Sequence, residues 1–149
     1  MQDLNFPGYE FRFKNSENAL HIFDPIRKKF VVLQPEEWVR QHVLQFLLQD
    51  KGYPKSHISI EKLLSVNQMS RRYDLVVFRP DGAIAILVEC KAPSQAITQA
   101  TFDQIARYNL QLQADYLMVT NGLDHYFCRM DFEAKRYEFL RELPPYRSF

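Results

Sequence analysis

The sequence predicts an α/β fold of layered type, a mixed sheet whose central antiparallel hairpin is flanked by helices. Three observations carry that prediction. Two apolar runs, 73–78 and 83–90, surround the turn signal Arg79-Pro80-Asp81-Gly82 and read as an antiparallel hairpin. Both faces of the hairpin are apolar, Leu75 and Val77 opposing Val76 and Phe78, and Ile84, Ile86 and Val88 opposing Ala85 and Leu87. Such a hairpin belongs in the middle of a domain, covered on each side. A helical pattern precedes it, and a second helical pattern and a buried strand follow it.

Taken in order, residues 8–33 alternate between short apolar runs and turns, with strands expected at 9–13, 20–23 and 30–33 and a turn at Asn15-Ser16-Glu17-Asn18. Pro35 opens a helix, and Glu36 and Glu37 in its first turn suit the helix dipole. Val39, Val43, Phe46 and Leu47 give 36–49 a helical stripe, which Gly52-Tyr53-Pro54 ends. Trp38 reads as a packing anchor. Residues 58–64 fit either a strand or a short helix. After the hairpin Pro93 breaks the chain, 98–113 form a helix through Thr101, Ile105, Tyr108 and Leu112, and 116–120 form a buried strand. Asn121-Gly122 is a turn, and 126–130 and 137–140 read as strands at the sheet edge. One domain is expected over the 149 residues: an N-terminal strand extension 1–34, a core 35–130, and a C-terminal strand and tail 131–149.

Composition narrows the function classes. With 46% hydrophobic and 25% charged residues, a packed core is expected and disorder is not. A net charge of +1 gives no bulk electrostatic case for nucleic acid, so phosphate contacts must come from local clusters. Cys90 and Cys128 lack metal or redox spacing and read as reduced core thiols, and the four histidines show no ligand spacing. No signal-peptide pattern is visible, and no apolar run approaches the roughly 20 residues that cross a bilayer. A soluble, cytoplasmic protein without membrane contact is the expectation.

The chemistry-bearing constellation lies on the hairpin. Glu89 and Lys91 are two residues apart on one strand and share a face. With a two-residue loop, Pro80 pairs with Ala83 and Asp74 falls opposite Glu89; an odd loop or a bulge would break that register. Two carboxylates about 5 Å apart repel unless a cation or a proton intervenes. All-oxygen ligation suits Mg²⁺ or Mn²⁺, which can polarise a phosphoryl oxygen and activate water, while Lys91 orients or deprotonates the nucleophile. A strand-end Glu-x-Lys is also a common surface ion pair.

Tyr73-Asp74, the hairpin and Glu89-Cys90-Lys91 resemble the D…(D/E)-x-K signature of the PD-(D/E)XK nucleases, with Tyr73 in place of the proline. Gln104 and Tyr108 are similar to the Q-x-x-x-Y motif of the RecB-like branch, where that helix borders the active site and DNA. RRYDLVVF, LVECKAP, DQIARYN and VTNG together resemble the N-terminal nuclease domain of type I restriction enzyme R subunits, over residues 35 to about 130. The resemblance implies a three-layer restriction-endonuclease-like fold and a magnesium-dependent endonuclease, a hydrolase acting on DNA in restriction-modification. Asp74 and Glu89 would hold the metal, and Gln104 and Tyr108 would contact substrate, joined by Arg72 as a phosphate contact beside Arg71.

Members often add a glutamate from the preceding helix. Glu36 is the choice over Glu37, because at about 100° per residue it falls at the centre of the Val39, Val43 and Leu47 stripe; the alternative is a helix-terminal role for both, with Glu36 paired to Arg40. No G-x-x-x-x-G-K-[ST] loop occurs, so helicase or other restriction-modification subunits are expected on separate chains. A homodimer is compatible with the fold. The second reading is a catalytically silent module of the same fold that binds DNA or protein.

Overall fold

The computed structural model describes residues 1–148, with side chains for all of these except Val66 and Ser148. Strands β1 (Phe13–Ser16), β2 (Ala19–Asp24) and β3 (Lys29–Val32) form an antiparallel meander. Helix α1 (Pro35–Gln45) runs into a π-helical turn, Phe46–Asp50. Strands β4 (Ile58–Val66), β5 (Met69–Phe78) and β6 (Ile84–Cys90) are followed by helix α2 (Gln99–Leu112) and strands β7 (Tyr116–Thr120), β8 (His125–Asp131) and β9 (Arg136–Leu140). These six strands make one sheet in the order β4-β5-β6-β7-β8-β9, antiparallel throughout except for the parallel pair β6 and β7, which α2 connects.

Two apolar layers sandwich that sheet, so the α/β fold with a central hairpin is the fold observed. On one face α1 buries Val39, Val43, Leu44 and Leu47 against Leu75, Val77, Ile86, Val88 and Met118. On the other, α2 buries Phe102, Ile105 and Ala106 against Val76, Leu87, Leu117 and Val119. Each fully buried aliphatic side chain contributes about 1.5–3 kcal/mol. Period-2 alternation along β7 sends Leu117 and Val119 to α2 and Met118 to α1, as a strand covered on both sides requires. Thr98 caps α2 by accepting from the Thr101 amide at 3.2 Å, and Gln113 ends it in the left-handed region at φ 59°.

Two local expectations need correction, and one open choice, strand or helix at 58–64, is settled. The first strand starts at Phe13 and not at residue 9, because Phe11 packs against Trp38 and His42, ring centroids 5.2 and 4.8 Å apart. Residues 58–64 belong to a strand. The hairpin loop has three residues and not two: the Arg79 amide donates to the Ala83 carbonyl at 2.7 Å and the Gly82 amide to the Arg79 carbonyl at 3.0 Å. Gly82 sits at φ 87°, open to glycine without a Cβ penalty. That odd loop displaces the register by one residue, and a bulge restores it: Phe78 pairs with Ile84, but Val77 pairs with Ile86 and Leu75 with Val88. The paired register ends at Leu75↔Val88, and beyond it Asp74 accepts from the Cys90 amide.

Candidate active site

The parallel pairing of β6 with β7 ends both strands at the same edge, where the Lys91 amide still donates to the Thr120 carbonyl at 2.8 Å. Asp74, Glu89 and Lys91 gather at this edge. Asp74 lies where β5 loses its regularity. Opposite it, Glu61 adopts φ 51°, and the β4–β5 ladder passes from Ile60↔Leu75 to Lys62↔Tyr73 without pairing Glu61. The alternation of β5 flips there: Leu75 and Val77 pack on the α1 layer, whereas Tyr73 joins Val76 in the α2 layer.

The two carboxylates therefore meet opposite layers. Asp74 Oδ2 accepts from the Cys90 amide at 2.6 Å, and Oδ1 lies 3.8 Å from Arg40 Nη1 on α1. Glu89 is 6% exposed, and its Oε1 lies 3.2 Å from Arg71 Nη2. That approach lacks hydrogen-bond geometry, so Glu89 Oε1 is a buried carboxylate oxygen without a hydrogen-bond partner. Burial pushes the Asp74 carboxyl up to about 6, against the pull of the Cys90 amide and Arg40. Burial, then the charge of Asp74, pushes Glu89 up to about 7 despite Arg71 and Lys91. The half-buried Lys91 acts on both acids through its charge.

Glu36 is exposed, which corrects the expectation of a buried helix carboxylate; the buried one is Glu37, at 7%. The charge of Glu36 nevertheless raises both Asp74 and Glu89, which places it within electrostatic reach of the pair. Glu37 is saturated by cations. Arg40 Nε and Nη2 donate to its two oxygens at 2.9 and 2.8 Å, and Arg27 Nη2 donates at 3.2 Å. Thus Arg40 pairs with Glu37 and not with Glu36. Arg27 is half-buried here, its Nε 2.8 Å from Asp24 Oδ2.

Of the remaining sequence candidates, Arg72 is exposed and Gln104 is exposed further along α2, without a hydrogen bond or ion pair to the carboxylates. Tyr108 is half-buried and connects to the site through Arg71, whose guanidinium carbon lies 4.8 Å from the Tyr108 ring centroid and 5.2 Å from that of Tyr73. Arg40 beside Asp74 and Tyr73 beneath Arg71 are the contacts that the sequence did not suggest. Only the Arg71-Arg72 doublet carried a signal, and strand facing selects its first member.

The pair offers hard oxygen donors. One buried oxygen of Glu89 has no hydrogen bond, and two acids held partly protonated by burial gain from a divalent cation. Those residues fit Mg²⁺ or Mn²⁺, with the other coordination positions left to water and substrate oxygens. Among the described residues no group of three His, Cys, Asp or Glu side chains forms a ready metal cage, so Glu36 does not complete one.

No curated protein matches the chain. Among solved structures, the chain is similar to a fragment assigned as an HsdR subunit of a type I restriction enzyme from Vibrio vulnificus YJ016. The TM-score is 0.52 and the identity 18%, over 77% of this chain and 24% of that one. The chain thus spans about a quarter of that protein's length, and the likeness is one of fold. No helix among the described residues is long and apolar enough to cross a membrane. The family model of the type I restriction enzyme R protein N terminus (HSDR_N) matches residues 35–144, and the chain belongs to that family.

Proposed function

We propose that the chain is a divalent-metal-dependent nuclease domain that hydrolyses DNA phosphodiester bonds in a type I restriction setting, with the PD-(D/E)XK division of labour. The observation that carries this reading is the buried, hydrogen-bond-free Glu89 oxygen beside Asp74 at a strand edge that also bears Lys91. Asp74 and Glu89 present the ligand oxygens, and Glu36 adds negative charge from α1. A bound Mg²⁺ or Mn²⁺ supplies charge neutralisation at a phosphoryl oxygen and activation of a water. The Lys91 ammonium would donate to and orient that water and stabilise the negative charge that develops on it, the proton passing to solvent. Arg40 and the Cys90 amide hold Asp74 in place, while Gln104, Tyr108 and Arg72 contact the strand. Partners are DNA and restriction-modification or helicase subunits.

The test is titration calorimetry of Mg²⁺ and Mn²⁺ beside plasmid nicking on the same samples. Asp74→Ala and Glu89→Ala lose both signals. Lys91→Ala keeps metal binding and loses about 100-fold or more in nicking rate, the scale of general acid–base catalysis. A parent protein that binds no divalent metal, or variants that nick as fast as the parent, would overturn the reading.

One observation favours a silent binding module instead: both carboxylates already have cationic neighbours, Arg40 and Arg71. Retention of DNA in EDTA, with no nicking in Mg²⁺ or Mn²⁺, is the outcome that selects it.

A further inference from the structure

We propose that the cleft between the first residues of β5 and the C-terminal half of α2 seats one unpaired nucleobase of single-stranded DNA. The inference rests on the proposed function only for what lies next to the cleft, the carboxylate pair. The cleft measures about 220 Å³ and is walled by Leu64, Met69, Arg71, Tyr73, Tyr108 and Leu112, with Ser70 and Gln111 as further polar groups. That volume admits a single planar heterocycle.

Four features point to a base. The walls bring together planar π surfaces, two tyrosine rings and a guanidinium stacked over both of them, and such groups bind the faces of unstacked bases regardless of sequence. Tyr73 is 1% exposed, yet its hydroxyl has no hydrogen-bond partner. A buried hydroxyl in a finished core is almost always bonded, and a base edge offers the donors and acceptors it lacks. Arg71 is at once a wall of the cleft and the cation 3.2 Å from Glu89, so a strand with a phosphate at the carboxylates presents a neighbouring base here. Finally, a second recess of about 310 Å³ adjoins this cleft, sharing Met69, Tyr108 and Gln111 and adding Gln104 and Arg107. Two adjoining recesses with a shared aromatic ring suit successive nucleotides of a strand better than an isolated small molecule.

Charge selects single-stranded over duplex DNA. Duplex binding depends on neutralising many phosphates, and this chain carries a net charge of +1. Stacking needs no such surplus.

The probe is a single-stranded 12-mer with one central 2-aminopurine, titrated with the full chain in EDTA, where stacking on an aromatic ring quenches the base. The parent quenches it saturably, and the same sequence as a duplex is not quenched. Tyr108→Ala weakens binding about 10-fold and Tyr108→Phe retains it, as expected for stacking. Tyr73→Phe keeps the quenching amplitude and weakens binding about 5-fold, the scale of one hydrogen bond. Quenching that survives Tyr108→Ala in a protein of unchanged melting temperature, or that the duplex matches, overturns the proposal. EDTA separates the two readings. A protein that quenches but never nicks refutes the nuclease and leaves the base seat standing, whereas nicking without quenching refutes the seat alone.

Discussion

At the scale of single residues, the site is defined by acids that folding makes less willing to ionise. Asp74 and Glu89 are raised to about 6 and about 7, above the ordinary carboxylate range, chiefly because burial removes water from the charged form. A carboxyl whose folded-state value is raised contributes stability at low pH and loses it as pH rises through the folded value. For the metal-free protein the window runs from about pH 4 to 7. Asp74→Asn removes the charge and keeps an oxygen for the Cys90 amide. We therefore expect this variant to be more stable than the parent at pH 8 by on the order of 2 kcal/mol, and equal to it near pH 4. Urea unfolding in EDTA at the two pH values measures this; a variant less stable than the parent at pH 8 would show that Arg40 and the amide already offset the burial. The same raised values mean that divalent affinity rises steeply between pH 5.5 and 8, since a ligand carboxylate must be deprotonated.

At the scale of elements, a buried ionic network ties the N-terminal meander to α1 and to the site. Asp24, fully buried on β2, accepts from the Ile26 and Arg27 amides, from Arg27 Nε and from Gln41; burial alone would raise its carboxyl, but these bonds leave it below the ordinary value. Arg27 and Arg40 share Glu37, and Arg40 reaches Glu61 at 3.1 Å on the irregular turn of β4, opposite Asp74. Removing one member strands a buried charge, so Arg40→Ala should cost about 3 kcal/mol. Glu37→Met combined with Arg40→Met should be milder than the two single changes together by at least about 1 kcal/mol. Urea denaturation of the four proteins closes that cycle, and additive losses would mean that the pair is not coupled. This network also marks where the sequence stops being legible. The hairpin, α2 and the edge strands could be read because local signals, alternating apolar residues, Pro-Asp-Gly, a threonine cap, agree with the packed result. The register of the β5–β6 ladder was anticipated through a loop one residue too short, and a bulge at Ala85 cancelled the error, but Asp74 turns to the α1 layer and Glu89 to the α2 layer. The choice of Glu37 over Glu36 for burial, of Arg71 over Arg72 for the site, and the flip of β5 at Asp74, opposite the left-handed Glu61, are set by packing. Those are tertiary facts with no periodic trace in the chain.

At the scale of the whole molecule, the near balance of 19 basic and 18 acidic residues would govern how this domain meets DNA under the proposed function. Arg27 and Arg40 are consumed by Asp24, Glu37 and Glu61, and Arg79 by Asp81 and Asp115, so part of the positive charge is neutralised within the fold. The cations near the carboxylates and the α2 recess are few: Arg71, Arg72, Lys91 and Arg107. Each phosphate contact releases about one counterion, giving a log–log salt slope of about −0.7 per contact on single strands. Up to four contacts predict a slope no steeper than about −3, and stacking adds affinity that salt does not screen. Anisotropy of a labelled single strand from 50 to 300 mM KCl measures that slope, and Arg107→Ala should flatten it by about 0.7 without touching metal binding. A slope near −6 or beyond would require a basic surface this chain lacks, and would move the DNA contacts to a dimer in which two copies pool their cations. A shallow slope places the burden of affinity elsewhere: a domain with so few phosphate contacts must be brought to DNA by a partner, and its cleavage rate should then rise with tethering and not with its own concentration.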